Sequence, residues 1–231
     1  MADPVSVAAI AKASQAALAD SGAEVEAFTS QITGAPRKEL GAWFSDHIRL
    51  RRMRSQLKIL KKAQEYAEEA GFEPGVVNMN LLVPLLEAGS LEEDEGMADR
   101  WAALLANAAG RDAGVYEVPP SFPDVLRQLS PKEAALLDAV YEAAIQHPPE
   151  EWSHRGALAA AAQQFVDMND EEFAVGKQNL IRLGLCRDPA NGFEFTDQDF
   201  KYQIVDSHLI CLTRYGAAFV RACRTPSPNS S

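Results

Sequence analysis

Cysteine is scarce in this sequence, and its arrangement excludes the sites that cysteine usually builds. Only Cys186, Cys211 and Cys223 occur in 231 residues. They are odd in number, lie far apart and form no C-x-x-C pair, so neither a disulfide framework nor a zinc site is predicted. We expect no metal and no cofactor, and this cysteine usage fits a reducing cytoplasm.

Long apolar runs and an excess of positive charge are also missing. No window reaches the roughly 18 uncharged apolar residues of a membrane span, and the N-terminus lacks the features of a signal peptide. The 33 acidic and 22 basic residues give a net charge of −11, which opposes attraction to nucleic acid or to an anionic membrane. We therefore expect a cytoplasmic protein with no transmembrane segment and no nucleic-acid partner.

Catalytic motifs are missing as well. The sequence contains no phosphate-binding P-loop, no G-x-G-x-x-G, no H-E-x-x-H and no G-x-S-x-G. His47 follows Asp46, but adjacent residues of a helix point apart, so a surface or packing role is predicted. His147 and His154 flank a proline-rich loop of a kind that usually connects elements at the surface. We expect no catalytic residue, and we expect that the protein is not an enzyme.

Apolar residues make up 47% of the chain, enough to bury a core, and their spacing predicts a mainly α protein. Residues 1–36 read as an N-terminal helix or helix pair that Gly34 and Pro36 interrupt. Residues 37–112 are predicted to form a helical hairpin region. Its long helix runs from about residue 39 to residue 70, and steps of three and four place a core seam at Leu50, Met53, Leu57, Leu60 and Ala67, with Gln64 interrupting it.

Charge reverses sign along this region. Residues 37–62 hold nine Lys or Arg against two acidic residues, a balance of +7, whereas residues 63–100 hold ten acidic residues against one Arg, a balance of −9. The simplest interpretation is that the two segments neutralise each other within the fold or across a symmetric dimer. The alternative is a basic stripe for an anionic partner, formed by Arg51, Arg54, Lys58 and Lys61.

A second helix start is predicted within residues 81–109. Ser90 and Glu93 have the spacing of a capping box, so a helix should begin at Leu91 with the acidic run 92–95 at the positive end of its dipole. Gly110 is placed to end it. The apolar residues that recur at helical spacing predict its core face: Leu91, Met97, Trp101, Leu104, Leu105 and Ala108.

Residues 113–224 are predicted to form a winged-helix-like α+β region with a small β-hairpin, followed by a disordered tail, residues 225–231. Two capping boxes are expected, one at Ser130 and Glu133 and one at Asn169 and Glu172. After a short helix near residues 123–128, the predicted elements are helices over residues 131–146, 155–166, 170–184 and 213–224 and strands over residues 185–188, 193–196 and 204–212.

The charges of the helix that would enter a DNA groove argue against DNA reading. Asp170, Glu171 and Glu172 lie at its leading end, with only Lys177 and Arg182 behind them. A DNA reader needs cations and amides directed at phosphates and base edges. The order of elements alone does not assign that function.

Three separated blocks resemble the abortive infection alpha (Abi-alpha) family, a bacterial family associated with phage defence. The block PLLEAGSLEED leading into WAALLANA is similar to the family's signature, and NLIRLGLC at 179–186 and LTRYGAAFVRAC at 212–223 are similar to its closing segments. The resemblance spans about residues 40–223. Ala88 and Gly89 stand where we expect the reverse order, and Arg214 stands where the family tends to proline.

The resemblance implies a phage-defence protein that acts through protein contacts, with either a separate protein partner or a second copy of itself in a homodimer. Within the signature, Ser90, Glu93, Trp101, Leu104 and Leu105 are expected to be structural, and the basic stripe is the candidate interaction surface. Two other classes stay open: a winged-helix transcriptional regulator, and an enzyme without a recognisable motif.

Overall fold

The computed structural model describes residues 22–40, 53–110, 117–146, 167–188 and 210–227, together with Lys12, Gln15 and Ala16. Within these ranges it contains eight α-helices, one short 3₁₀ helix and a two-stranded antiparallel sheet, so the prediction of a mainly α protein is confirmed. The chain divides into two compact units. The first comprises the residues up to Gln128 and from Arg221 onward, and the second comprises Leu129–Val220.

The first unit is built from helices that pack around three central ones. Its helices are α1 (Ala23–Thr33), a 3₁₀ turn (Arg37–Glu39), α2 (Met53–Ala70), α3 (Met79–Gly89), α4 (Glu95–Ala109) and α5 (Phe122–Leu126). Helices α2, α3 and α4 pack on one another, α1 packs on α2, and α5 packs on α3. The predicted break after the first helix is confirmed, since α1 ends at Gly34 in the left-handed region.

The buried face of α2 is wider than the predicted seam. Leu60 and Ala67 are buried as expected, but Leu57 is only half-buried. Because α2 packs on both α3 and α4, a broader surface is covered, and it takes in these further residues: Gln56, Ile59, Ala63, Gln64 and Ala70. Leu50 and the side chain of Met53 lie outside the described residues.

Helix α2 ends where the sequence predicts. Gly71 has a φ of 73°, and its N–H donates to the carbonyls of Ala67 and Glu68 at 3.0 and 3.1 Å. The N–H of Phe72 donates to the carbonyl of Ala67 at 3.3 Å. The bond from Gly71 to Glu68 and the bond from Phe72 to Ala67 form the Schellman arrangement, which satisfies carbonyls that the last turn leaves without partners.

Helix α3 is absent from the sequence-based predictions. Pro84 lies in its interior, where proline removes a backbone hydrogen bond and opposes the helix. The apolar side chains around the proline offset that cost, because they are buried against α2, α4 and α5: Leu81, Leu82, Leu85 and Leu86. The side chain of Asn78 caps the start of the helix by accepting from the N–H of Asn80 at 2.9 Å.

The second unit contains α6 (Pro131–Gln146), α7 (Asp170–Arg182), β1 (Cys186–Arg187), β2 (Cys211–Leu212) and most of α8 (Arg214–Ala222). The strands pair antiparallel, with Cys186 opposite Leu212 and Arg187 opposite Cys211. Helix α7 packs on α6 and on β1, and β2 packs on α6. The predicted helix over residues 155–166 and strand over residues 193–196 lie outside the described residues, so the winged-helix order stays a prediction.

Both predicted capping boxes of this unit are confirmed. The N–H of Glu133 donates to Ser130 Oγ at 3.3 Å, and Glu133 Oε2 accepts from the N–H of Ser130 at 2.7 Å. The equivalent bonds between Asn169 and Glu172 measure 2.9 and 3.0 Å. Each pair satisfies two backbone donors at the start of its helix. Among the described residues, no helix combines the length and apolar character that crossing a bilayer requires.

Candidate functional site

The start of α4 differs from its prediction. Asp94 caps this helix, since its Oδ1 accepts from the N–H of Met97 at 2.9 Å, and the helix begins at Glu95 rather than Leu91. The Ser90–Glu93 capping box was wrong because Ser90 still belongs to the end of α3. Its N–H donates to the carbonyl of Leu86 at 3.2 Å, and its Oγ donates to the carbonyl of Glu87 at 2.7 Å.

The apolar part of the signature segment forms the centre of the first unit. Trp101, Leu104 and Leu105 are buried, with Trp101 only 1% exposed. The Trp101 ring packs directly on Gly89, where an added Cβ would lie 3.0 Å from Trp101 Cγ and 2.8 Å from Ile59 Cδ1. The signature therefore joins α2, α3 and α4 through one close contact, and a side chain at residue 89 would require Ile59 or Trp101 to shift.

Asn107 connects two of the three blocks that resemble the family. Its Nδ2 donates to the carbonyls of Ala222 and Arg224 at 3.0 and 2.7 Å, and to the carbonyl of Ala103 in its own helix at 2.9 Å. The carbonyls at the end of α8 lack partners within that helix. Asn107 thus ties the end of α8 to α4, a role that its spacing in the sequence does not reveal.

The turn between α3 and α4 is ordered by its own acidic residues. Glu92 Oε1 accepts from the N–H groups of Glu93 and Asp94 at 3.1 and 3.0 Å. Leu91 is 58% exposed, so its predicted place on the core face was wrong. Glu93 is exposed as well and takes no part in capping α4.

The candidate basic stripe is only partly described. Lys58 and Lys61 are exposed on α2, whereas Arg51 and the side chain of Arg54 lie outside the described residues. Lys61 lies 3.9 Å from the carboxylate of Glu65 in the next turn. The role of the stripe stays a prediction, and of its described members only Lys61 forms an ion pair with another described residue.

One ion pair joins the basic and acidic segments across two helices. Lys62 on α2 bonds to Asp99 on α4, and this hydrogen bond raises the pKa of Lys62 above its ordinary value. Burial, followed by the nearby Asp99 carboxylate, raises the pKa of Tyr66. The interpretation that the charge reversal is neutralised within the fold is therefore supported at this contact.

A groove opens between the starts of α6 and α7 in the second unit. Its volume is about 520 Å³ and its lining consists of Ser130, Lys132, Glu133, Met168, Asn169, Glu171, Glu172, Val175 and Gly176. Lys132 Nζ and Glu172 Oε1 form an ion pair of 2.7 Å across it. Val175 is 65% exposed, and Met168 is half-buried. Apolar and charged side chains therefore face the same open space.

The carboxylates of Glu133 and Glu172 are engaged in bonds that hold the groove together. Glu133 Oε1 accepts from Asn179 Nδ2 at 2.8 Å, while its other oxygen caps α6. Arg182 in turn donates to Asn179 Oδ1 at 2.7 Å. The hydrogen bond from Lys132, followed by the backbone N–H of Asn169, lowers the pKa of Glu172. These bonds fix both carboxylates in place.

Lys177 is buried, although a lysine is ordinarily exposed. It is 1% exposed and pairs with Asp188 at 3.0 Å. Phe173 precedes it by four residues and Leu180 follows it by three, and both are buried, so the apolar spacing of α7 was the signal that could have placed it. Its burial removes one of the two cations that a DNA-reading α7 would present.

The remaining candidate residues give no catalytic centre within the described ranges. All four histidines lie outside them. Cys186 and Cys223 are buried and Cys211 is half-buried. Burial raises the pKa of Cys186 to about 12, followed by a smaller effect of Cys211, so the Cys186 thiol stays protonated at neutral pH. The part of the chain that the structure describes holds no group of three His, Cys, Asp or Glu residues suited to a metal.

Comparison with known proteins gives one match. A family described as abortive infection alpha matches residues 54–223, more than two thirds of the chain. No curated protein and no solved structure matches. The matched range includes all three blocks in which the sequence resembles the family, and it extends from α2 to the residue that follows α8. The chain therefore belongs to the abortive infection alpha family.

Proposed function

We propose that this protein contributes to phage defence by abortive infection and that it acts through contacts with another protein rather than by catalysis. Membership of the abortive infection alpha family supports the defence role. The observation that supports the contact mechanism is the groove between α6 and α7, which presents Val175 and Met168 beside charged side chains. Open surfaces of mixed apolar and charged character suit protein partners.

The hydrogen bonds of the Glu133 and Glu172 carboxylates favour a contact surface over an acid–base catalytic site. A general acid needs a pKa raised toward neutrality and a carboxyl group free to reach the substrate. Glu133 uses both oxygens to cap α6 and to hold Asn179. Lys132 and Asn169 hold Glu172, whose pKa is lowered rather than raised. Both carboxylates therefore act as structural groups in this proposal.

A second candidate, the winged-helix regulator, is less well supported by the same helix. The first three residues of α7 are acidic, and Lys177 is buried in an ion pair. A groove-reading helix instead presents cations and amides to phosphates and bases. A regulator would also show tight binding to duplex DNA that weakens steeply with added salt.

The test is a plaque assay with the gene in its native context, over a broad phage panel. We expect fewer plaques than without the gene, and death or arrest of infected cells before burst. Plaque numbers that are equal with and without the gene would refute the defence role.

The contact mechanism is tested with Glu171→Lys plus Val175→Ser, because both residues line the groove. This double variant should lose protection while it keeps the wild-type melting temperature. Glu87→Lys is the matched control, since Glu87 is exposed on α3 in the first unit. Full protection by the double variant would count against the groove as the site of contact.

A further inference from the structure

We infer that the groove between α6 and α7 binds a peptide segment of a partner protein in which a lysine or arginine and an aliphatic residue are separated by one position. The inference rests on the proposed contact mechanism and names the chemistry of its partner. It follows from three features of the groove: its helix starts are already capped, its free charge is negative, and its exposed wall is aliphatic.

The helix starts at the groove offer little to an anionic ligand. Helix N-termini attract anions through unsatisfied N–H groups and the positive end of the dipole. Here Ser130 and Glu133 cap α6, while Asn169 and Glu172 cap α7. Two of the chain's own carboxylates thus occupy the positions that a phosphate or carboxylate ligand would take.

The charge that remains is negative. Lys132 is the cation in the lining, and it is paired with Glu172 at 2.7 Å. Glu171 is exposed on the rim. A cationic side chain on the ligand would therefore meet an attractive potential, and an anionic one would meet carboxylates.

The apolar side chains of the groove, Val175 and Met168, indicate that the ligand carries an aliphatic residue near its cation. Val175 lies one helical turn after Glu171, so the two side chains are neighbours about 5–6 Å apart on α7. Val175 is 65% exposed, and an aliphatic side chain placed on it and on Met168 would remove apolar surface from water. In an extended peptide, residues two apart share a face at about 6–7 Å, which matches a basic and an aliphatic residue separated by one position.

The experiment uses the full chain with ¹³C-labelled methionine and valine methyl groups, observed by NMR. The probe is the blocked heptapeptide Lys-Ser-Leu-Ser-Lys-Ser-Leu. We expect saturable shifts of the Met168 and Val175 methyl signals. The variants Met168→Leu and Val175→Ile assign these signals, because each variant removes one of them. Replacing the lysines of the probe by glutamate, or its leucines by serine, should abolish the shifts, and added salt should weaken them.

The variant Glu171→Lys should lower the affinity for the probe about two- to fivefold, the range that one exposed ion pair contributes, whereas Glu87→Lys in the first unit should leave it unchanged. No shift of the two methyl groups, or an equal shift with the glutamate probe or inorganic phosphate, would overturn the inference. Methyl shifts that appear on concentrating the protein alone would assign the groove to a second copy instead. Binding of the probe without phage protection would overturn the proposed function and leave this inference standing.

Discussion

Trp101 and Leu91 lie ten residues apart in one segment and have opposite environments. Trp101 is 1% exposed, whereas Leu91 is 58% exposed. Trp101→Ala should lower the free energy of unfolding by about 3 to 5 kcal/mol, the usual cost of such a cavity. Leu91→Ala should change it by less than about 0.5 kcal/mol. Denaturant titration of both variants measures the difference, and similar losses would place Leu91 in the core after all.

Gly216 is fixed by the backbone of a neighbouring segment. An added Cβ would overlap the carbonyl oxygen of Leu185 and would lie 2.8 Å from its carbonyl carbon. The same carbonyl accepts from the N–H of Thr213 at 3.0 Å, so it cannot move away freely. Gly216→Ala should therefore destabilise the protein by about 3 kcal/mol or more, the upper end of overpacking costs.

Gly110→Ala is the control for this substitution. Gly110 has a φ of −67°, and an added Cβ would lie 3.5 Å from the carbonyl oxygen of Asn107, an ordinary contact. Where alanine can adopt the backbone conformation of a glycine without strain, replacing that glycine by alanine stabilises the folded protein by about 0.4 to 1 kcal/mol. The melting temperatures of the two variants should therefore shift in opposite directions from that of the wild type. A Gly216→Ala protein as stable as the wild type would contradict the close contact.

At the level of single helices, two substitutions at the start of α4 distinguish the observed Asp94 cap from the predicted Ser90–Glu93 capping box. Asp94→Ala should cost about 1 kcal/mol, because the N–H of Met97 loses its acceptor. Glu93→Ala should cost less than about 0.5 kcal/mol, since Glu93 is exposed. Urea unfolding distinguishes the two variants. A larger loss from Glu93→Ala would restore the capping box that the sequence predicts.

The contact between α6 and α7 should depend on pH. The pKa of Glu172 is lowered in the folded chain, first by Lys132 and then by Asn169. A lowered folded pKa means that the stabilisation is complete above the ordinary value of 4.5 and is lost as the pH falls through the lowered folded value. The difference in unfolding free energy between wild type and Glu172→Gln should therefore shrink as the solution is acidified below that ordinary value.

Lys132→Gln should weaken the same pH dependence, because the hydrogen bond from Lys132 is the largest cause of the lowered pKa. Unfolding followed by circular dichroism from about pH 6 to about pH 3 covers the window in which carboxyl groups titrate. A constant difference between wild type and Glu172→Gln across that window would show that the ion pair does not contribute to stability.

At the scale of the whole molecule, the charge reversal distinguishes a stabilising role from a binding role. If the basic and acidic segments neutralise each other, replacing Arg51, Arg54, Lys58 and Lys61 by glutamine should lower stability modestly, by about 0.2 to 1 kcal/mol for each exposed pair. Protection should then largely survive. If the stripe binds an anionic partner, the same protein should melt as wild type yet lose protection.

Melting curves and plaque assays on the fourfold variant therefore decide between these two interpretations. Lys62→Gln is a useful comparison, since Lys62 already pairs with Asp99 across α2 and α4 and should affect stability alone. A fourfold variant that is both as stable and as protective as wild type would refute both interpretations and leave the stripe as a solubilising surface.

The features of this protein that depend on neighbouring residues can be predicted from the amino-acid sequence. The caps at Ser130 with Glu133 and at Asn169 with Glu172 were predictable because the bonding groups lie three residues apart. The end of α2 at Gly71 and the burial of Trp101 were predictable because a single residue type or a short spacing carries the signal. The mainly helical architecture followed from the same local rules.

The features that depend on distant residues emerge from the packing of the helices. Helix α3 forms in spite of Pro84 because α2, α4 and α5 bury its leucines. Asn107 meets the carbonyls of Ala222 and Arg224 across more than a hundred residues of chain. The groove exists because α6 and α7 start side by side, joined by Lys132 and Glu172. Such contacts depend on chain packing, and no spacing within a segment encodes which distant groups will meet.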